Sequence, residues 1–504
     1  MMHKTDYRTY DGTLNNLENR WLGSSYSQFF RLGYADYADR IAQPAVRGET
    51  NPNPRLISNR VCRENYIKFN ANGLTDYIWA WGQFLHHEIE CTGISNSEHW
   101  NIPVLRGDPK FPHGGLIEFV RSGFDQNTGS SPENPREQLN LVSSFIDGSN
   151  IYGSNDTHAR YLRCHEGNGK LLTSSHKHGM LLPLERSRKQ ASRFITGDHR
   201  ANQNAILSSL HTLFVLEHNR LCDELHILYP GIRGQDEQLY QLSRAMVVGM
   251  MQRISYEEFL PILLGRDALP DYQGYCAETI PTISNFFTSA CFRVAHSMFS
   301  SMIPLGNNGH TIALGKLYYN SQILVENGIE PILSGLYQQT MREVDGQLVD
   351  DARNYMLTGM GDEKLIDLAA LNIQRGRDFG LPDFNSCRKI MGLTPHEDFQ
   401  SLSSNTWLSN QLEKLYGTID SVDPWIGSLV EDHIDGANVG EFTHKVLVDQ
   451  FQRLRDGDRF WHQVDPIFSE KPELLWIVQN TRLADVIRRN TGLQHIPDTL
   501  FVRR

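Results

Sequence analysis

Between Asn202 and about Leu228, apolar residues recur at helical spacing. Ile206, Leu210, Leu213, Phe214, Leu221 and Leu225 form one stripe, which predicts a long buried-face helix. Thr75-Asp76 precedes a second periodic stretch and predicts a helix from Thr75, as N-cap, to about Cys91. Similar spacing predicts helices over 238–256, over 281–299 with Pro281 in the first turn, and in short pieces within 364–393, 404–416 and 438–453. A further helix is expected from Pro135 to the Asp147-Gly148 break. Strand signals are few and short, at Thr311–Ala313 and Leu317–Tyr319. Residues 7–60 read as an irregular arm broken by Asp11-Gly12, Leu22-Gly23 and Asn51-Pro52-Asn53-Pro54. Residues 100–135 read as surface loop, and Cys164–Arg193 as a long loop without periodicity. The class is therefore mainly α. No Pro-, Ser- or Gly-rich linker divides the 504 residues, so one large domain over 1–504 is expected, with an irregular arm (1–74) and a helical core (75–504).

Charge and cysteine content narrow the function. The balance of 48 basic against 59 acidic residues gives −11, and no basic stripe with interleaved aromatics appears, which excludes a general nucleic-acid binder. No apolar run is long enough to span a bilayer. Met1–Thr13 lacks the apolar centre of a secretory signal. The seven cysteines are scattered with no C-x-x-C pair, which fits free thiols in a reducing compartment. A cytoplasmic location is expected, with secretion the alternative if the natural chain begins further upstream.

Three segments carry candidate chemistry. In Trp81-Gly82-Gln83-Phe84-Leu85-His86-His87-Glu88, Gln83 and His87 are one helical turn apart and share a face, with Ala80 and Phe84 expected beside them. An imidazole and an amide in an apolar wall suggest a site, although His87 read alone fits a hydrogen-bonded core histidine at least as well. Arg293 and His296, three residues apart, suggest a metal or an anionic cofactor, with a structural histidine and a surface arginine as the alternative. In Leu371–Asp378, the buried Arg and Asn side chains need partners, which a propionate-bearing cofactor or an ion-pair cluster could supply.

Taken in order, these segments resemble the animal-type haem peroxidase superfamily. The resemblance is collinear and nearly full length. It runs through Tyr7–Gly12, Trp81–Gln83, Ser144–Ser149, Gly197-Asp198-His199-Arg200, Glu217–Leu221, Phe292–His296, Asn372–Asp378, Leu454–Trp461 and Asn490-Thr491-Gly492. It implies a helical peroxidase fold, a haem cofactor, hydrogen peroxide and a small reducing substrate. His296 matches the iron ligand and Asn372 the partner of its other ring nitrogen. His87 matches the distal base, Arg200 the distal guanidinium, and Gln83 the amide that orders water or a small anion. Arg293 and Arg375 match residues beside the propionates.

Departures from the family pattern are informative. His86 and Gln203 stand where mammalian members have the Asp and Glu esterified to haem, and Asn204 where one member has a Met linked to it, so the resemblance implies non-covalent haem b. Lower oxidising power follows, so phenolics, iodide, bromide or thiocyanate are expected donors and chloride is not. The family's calcium site maps onto Glu88, Ser143, the Phe145 carbonyl, Asp147 and Ser149, with Glu88 one methylene longer than the usual Asp. A bound calcium and a structural polar cluster both fit that set. His86 should point about 100° from His87 and pack near the haem edge, while His199, His211 and His218 are expected to be structural. Leu14 stands where a family cysteine would be.

Two other functions share the scaffold. A fatty-acid dioxygenase or natural-product oxygenase would need a tyrosine three residues before His296. That position is Arg293, and the nearest upstream tyrosine is Tyr275. A non-catalytic haem-binding protein would have lost the distal residues, yet Gln83, His87 and Arg200 are all present.

Overall fold

The computed structural model describes residues 7–185, 192–232, 234–306, 309–357 and 364–503. The opening residues 1–6 and residues 186–191 of the expected long loop lie outside them. Two long helices, Ala205–Leu228 and Asp236–Ile254, pack together at the centre. Asn204 caps the first, its side chain accepting the Leu207 N–H. All six stripe residues expected on this helix are fully buried.

The Tyr77–Ile89 helix rests on Ala205–Leu228 and is buried almost all round. Trp81 anchors it, with ring centroids 5.4 Å from Phe84, 5.8 Å from Phe214 and 6.4 Å from Phe501. A buried aromatic removes about 150–250 Å² from water, worth roughly 4–6 kcal/mol gross. Such anchors offset the cost of burying His87, Glu88 and Glu90 at the same helix end. At Ser255–Phe259 the Asp236–Ile254 helix widens into a π turn, as commonly happens near functional sites. There Ser255 Oγ accepts the Trp81 Nε1–H at 3.2 Å and donates to the Met251 carbonyl at 2.7 Å.

Several boundaries differ from expectation. The 281–299 stretch is not one helix. An α-helix covers Asn285–Ser289, Ala290 leaves helical geometry, and a 3₁₀ helix covers Cys291–Met298. The Thr288 carbonyl accepts Arg293 Nε–H at 2.5 Å, so the break is tied to a side chain. Residues 135–148 are not helical either. Leu139–Asn140 pairs with Ser27–Gln28, and beyond it Ser143 and Asp147 hydrogen-bond locally in place of a helical ladder. The presumed surface loop at 100–135 contains strands Ile102–Val104, Gly115–Ile117 and Val120–Ser122. Ile102, Val104, Ile117 and Phe119 bury a small second core with Ala370. The expected arm includes a helix at Pro54–Val61. Thr311–Ala313 is a strand as expected, whereas Leu314–Leu317 is a helical turn and Tyr318 makes only an isolated bridge to Asn204. Within the 164–193 loop lie strands Ser174–His176, Gly179–Leu181 and Leu184–Glu185. Every sheet among the described residues has two antiparallel strands, so the mainly α class stands.

The two chain ends clasp the core. Asp458 accepts from Arg8 Nη2 at 2.5 Å and from Asn15 Nδ2 at 2.7 Å, tying the arm to the Leu454–Trp461 motif. Thr75, at the entry to the Tyr77–Ile89 helix, donates Oγ–H to the Leu500 carbonyl at 2.5 Å and N–H to the Phe501 carbonyl at 3.0 Å. All seven cysteines are unpaired. No helix among the described residues is long and apolar enough to cross a membrane.

Candidate active site

A cavity of about 360 Å³ brings together every expected cofactor and distal residue: Gln83, His87, Arg200, Arg293, His296, Asn372 and Arg375. Its size suits a cofactor site. One wall is the stripe Trp79, Gln83, His86 and His87 of the Tyr77–Ile89 helix. Ala80 and Phe84, expected on this face, pack into the core instead, and Phe84 stacks on Phe214 at 5.7 Å. His86 does not turn away but shares the cavity face, with Nε2 2.5 Å from Glu90 Oε1.

His87 is buried, and its Nδ1 has no hydrogen-bond partner among the described residues. Burial, then the charge of Arg200, pushes its pKa well below 6.5, so the ring is neutral at physiological pH. Gln83 sits in a short amide chain. Its Nε2 donates to Gln203 Oε1 at 3.3 Å, and its Oε1 accepts from Asn204 Nδ2 at 3.1 Å. Gln203 and Asn204 therefore hold the distal amide.

Arg200 opens the 3₁₀ turn His199–Gln203, which Asp198 caps. Its Nε donates to both Asp198 oxygens, at 3.0 and 3.1 Å, and its Nη2 donates to Oδ2 at 2.6 Å. The carbonyls of Glu90 and His87 each accept a further N–H at 2.9 Å. Burial opposes ionisation of Asp198, but Arg200 outweighs it and holds the carboxyl far below its ordinary range. Glu90 behaves likewise, with His86, Arg293 and Arg200 outweighing its burial. Thr288 donates its Oγ–H to Glu90 Oε2 at 2.6 Å.

The opposite elements are the Cys291–Met298 3₁₀ helix and the Leu368–Asp378 helix. Three residues per turn place Arg293 and His296 one above the other. His296 Nδ1 lies 2.7 Å from Asn372 Nδ2. Burial, then Arg293 and His86, pushes the His296 ring down to about 3, leaving it neutral. Among the described residues the Arg293 guanidinium bonds only the Thr288 carbonyl and, at 3.5 Å, Asn372 Oδ1. Arg375 donates to Ser122 Oγ at 2.7 Å and Asp378 Oδ2 at 3.0 Å, and lies over Phe119 at 4.3 Å. Burial lowers the pKa of both arginines; Arg375 has Asp378 as a partner, whereas Arg293 has no carboxylate bond among the described residues.

Sequence reasoning missed several residues here. Glu90 and Thr288 had no assigned role, although His86 and Glu90 are spaced as i and i+4. Asp198 appeared only within a motif. Tyr318, Tyr319 and Tyr355 also line the cavity, and the Tyr318 hydroxyl is buried without a partner. Their approach is tertiary and left no local signal. His211 and His218 are structural as expected. His211 Nδ1 lies 3.0 Å from the Asn150 carbonyl, and His218 lies between the Tyr152 hydroxyl and the Gly169 carbonyl. His199 is not structural, because its side chain is 88% exposed.

The residues fit a haem. Two neutral imidazoles from separate elements and the under-neutralised Arg293 face one cavity, as an iron centre with anionic propionates would need. The calcium set gathers elsewhere, behind the Tyr77–Ile89 helix. Glu88 Oε1 accepts the N–H groups of Asp147, Gly148 and Ser149 at 2.9, 2.5 and 3.1 Å, and Oε2 accepts that of Asn150 at 3.0 Å. Asp147 accepts Ser143 Oγ–H at 2.5 Å and Ser149 N–H at 3.1 Å. These oxygens face donors, and the set does not fit a cation.

Comparison with known proteins agrees. A sequence model of the family described as animal haem peroxidase matches residues 7–501. Lactoperoxidase of Mesocricetus auratus is 32% identical, over 97% of this chain and 76% of that one. The structure of peroxidase A from Dictyostelium discoideum superposes with a TM-score of 0.89 at 29% identity, covering 99% of both chains. A fatty acid alpha-dioxygenase from Oryza sativa shares the fold, with a TM-score of 0.82 at 20% identity over 99% of this chain and 86% of that one.

Proposed function

The chain belongs to the animal haem peroxidase family, and from that premise we propose a peroxidase of small donors whose haem b is held without covalent links. When bound, haem supplies an iron centre that exchanges electrons with hydrogen peroxide and with donors. His296 would hold the iron. Turning the Asn372 amide by 180° gives up its 3.5 Å contact with Arg293 and sets its oxygen against Nδ1, where it accepts the ring proton and frees the other nitrogen to ligate. Arg293 and Arg375 would receive the propionates.

His87, neutral and buried, takes a proton from hydrogen peroxide and returns it to the departing oxygen as water forms. Arg200, fixed by Asp198, presents permanent positive charge to that oxygen. Gln83, gripped by Gln203 and Asn204, orders the incoming molecule. The observation that carries the reading is one cavity holding neutral His87 beside ion-paired Arg200, together with neutral His296 on Asn372.

His86, Gln203 and Asn204 lack the groups for an ester or sulfonium link, which supports non-covalent haem and donors such as phenolics, iodide, bromide or thiocyanate in place of chloride. The oxygenase alternative lacks the tyrosine expected three residues before His296, since position 293 holds an arginine. Seven unpaired thiols support a reducing compartment such as the cytoplasm. The test is acidified-solvent extraction of the holo-protein, followed by peroxide-dependent oxidation of iodide, guaiacol and chloride. Freely extracted haem b with iodide and guaiacol turnover is expected. Haem that stays with the chain, or efficient hypochlorite formation, overturns the reading.

A further inference from the structure

The cluster behind the Tyr77–Ile89 helix has the residues of a cation site and the hydrogen-bonding of something else. We infer that in this chain the Glu88 carboxylate itself takes the cation's place, joining the end of that helix to the Ser143–Asn150 turns without metal. A calcium ion needs oxygen lone pairs converging on it from several directions. Here the convergence is reversed, with four successive backbone N–H groups, Asp147 to Asn150, converging on one carboxylate. The arrangement is an anion nest at the start of the short Ser149–Tyr152 helix, filled from within the chain.

The surrounding contacts complete the joint. Ser149 Oγ donates to the Glu88 carbonyl at 2.8 Å, and Asn150 Nδ2 donates to the Phe84 carbonyl at 2.7 Å. The Asn150 carbonyl in turn accepts the Asp198 N–H at 3.2 Å, which links the nest to the residue that fixes Arg200. With the Glu88 and Asp147 carboxylates both buried at 1% exposure or less, the joint is sealed from solvent.

The experiment uses purified holo-protein and calcium itself as the probe. Bound calcium is measured by plasma mass spectrometry after dialysis, and the melting temperature is read with EGTA and with added calcium. Substoichiometric calcium and a melting temperature indifferent to both additions are expected. Stoichiometric calcium, or a melting temperature that falls in EGTA and recovers with calcium, overturns the inference. Glu88→Gln keeps one acceptor but sets an NH₂ group against a backbone N–H. Its melting temperature should fall by about 2–5 °C whatever the calcium concentration. An unchanged melting temperature in Glu88→Gln also overturns the inference. Should that variant not fold, the metal content and EGTA response of the native chain still decide.

Discussion

Replacing Asp198 with Asn tests how the distal guanidinium is held. The carboxylate accepts Arg200 Nε on both oxygens and Nη2 at 2.6 Å, and it also receives the Arg200 backbone N–H at 2.8 Å. Asparagine keeps one oxygen and sets an NH₂ group against the guanidinium. Removing one partner of a buried ion pair costs about 3–5 kcal/mol. The Arg200 bonds to the His87 and Glu90 carbonyls survive, so a loss near the lower end, about 3 kcal/mol, is expected. Because Asp198 titrates far below its ordinary value when folded, the pair's contribution is complete above about pH 4 and is lost only as pH falls through that depressed value. The destabilisation should therefore be constant from about pH 5 to 8. A guanidinium displaced by about 1 Å should slow the peroxide step roughly 10²-fold. Urea unfolding of the holo-protein and stopped-flow mixing with peroxide read the two effects. A variant within about 1 kcal/mol of the native chain, with an unchanged peroxide rate, would falsify the positioning role.

Three further outcomes are expected. The peroxide reaction should keep its full rate as pH falls through 6.5, because the neutral His87 base persists until its depressed pKa; an acid limb centred at or above 6.5 contradicts this. Arg293→Leu should weaken haem retention by about 10–100-fold, since bonds to a charged group are lost, yet leave the haem-free chain as stable or more so by removing a cation buried without a carboxylate bond. Haem titration and thermal melts of both forms test that pairing of opposite signs. Gly335→Ala would place Cβ 1.8 Å from the Pro304 carbonyl oxygen, so the backbone must move. A loss of about 1–3 kcal/mol or more in chemical denaturation is expected, and a neutral substitution shows the contact to be looser than described.

The residues of the site were legible because they lie in motifs whose order could be read along the chain. Helices with unbroken periodicity, such as Ala205–Leu228, were legible for a different reason, since one buried stripe fixes a period. The 281–299 stretch was not, because an apolar run of mixed residues reads alike whether wound with 3.6 or 3.0 residues per turn. Its break at Ala290 belongs to a bond between Arg293 and the Thr288 carbonyl that spacing does not encode. His86, expected beside the cofactor though turned about 100° from His87, lines the same cavity because the cavity accepts a stripe wide enough for both rings. For Glu88 the family pattern left a calcium ligand and a structural polar cluster both open, because the direction of its bonds depends on the turns at 143–150. The three cavity tyrosines come from 318–355, beyond the helix that carries His296, and reach the cavity only through tertiary packing.

The clasp between Thr75 and Leu500–Phe501 sets an order of events during synthesis. The Tyr77–Ile89 helix leaves the ribosome early, but Leu500 and Phe501, which brace its entry, are made far later. Until then Trp81 lacks Phe501, and the wall bearing Gln83 and His87 is without its backing. Acquisition of haem should therefore wait until Leu500 and Phe501 have emerged, and ribosome-bound chains stalled before residue 500 should bind it poorly.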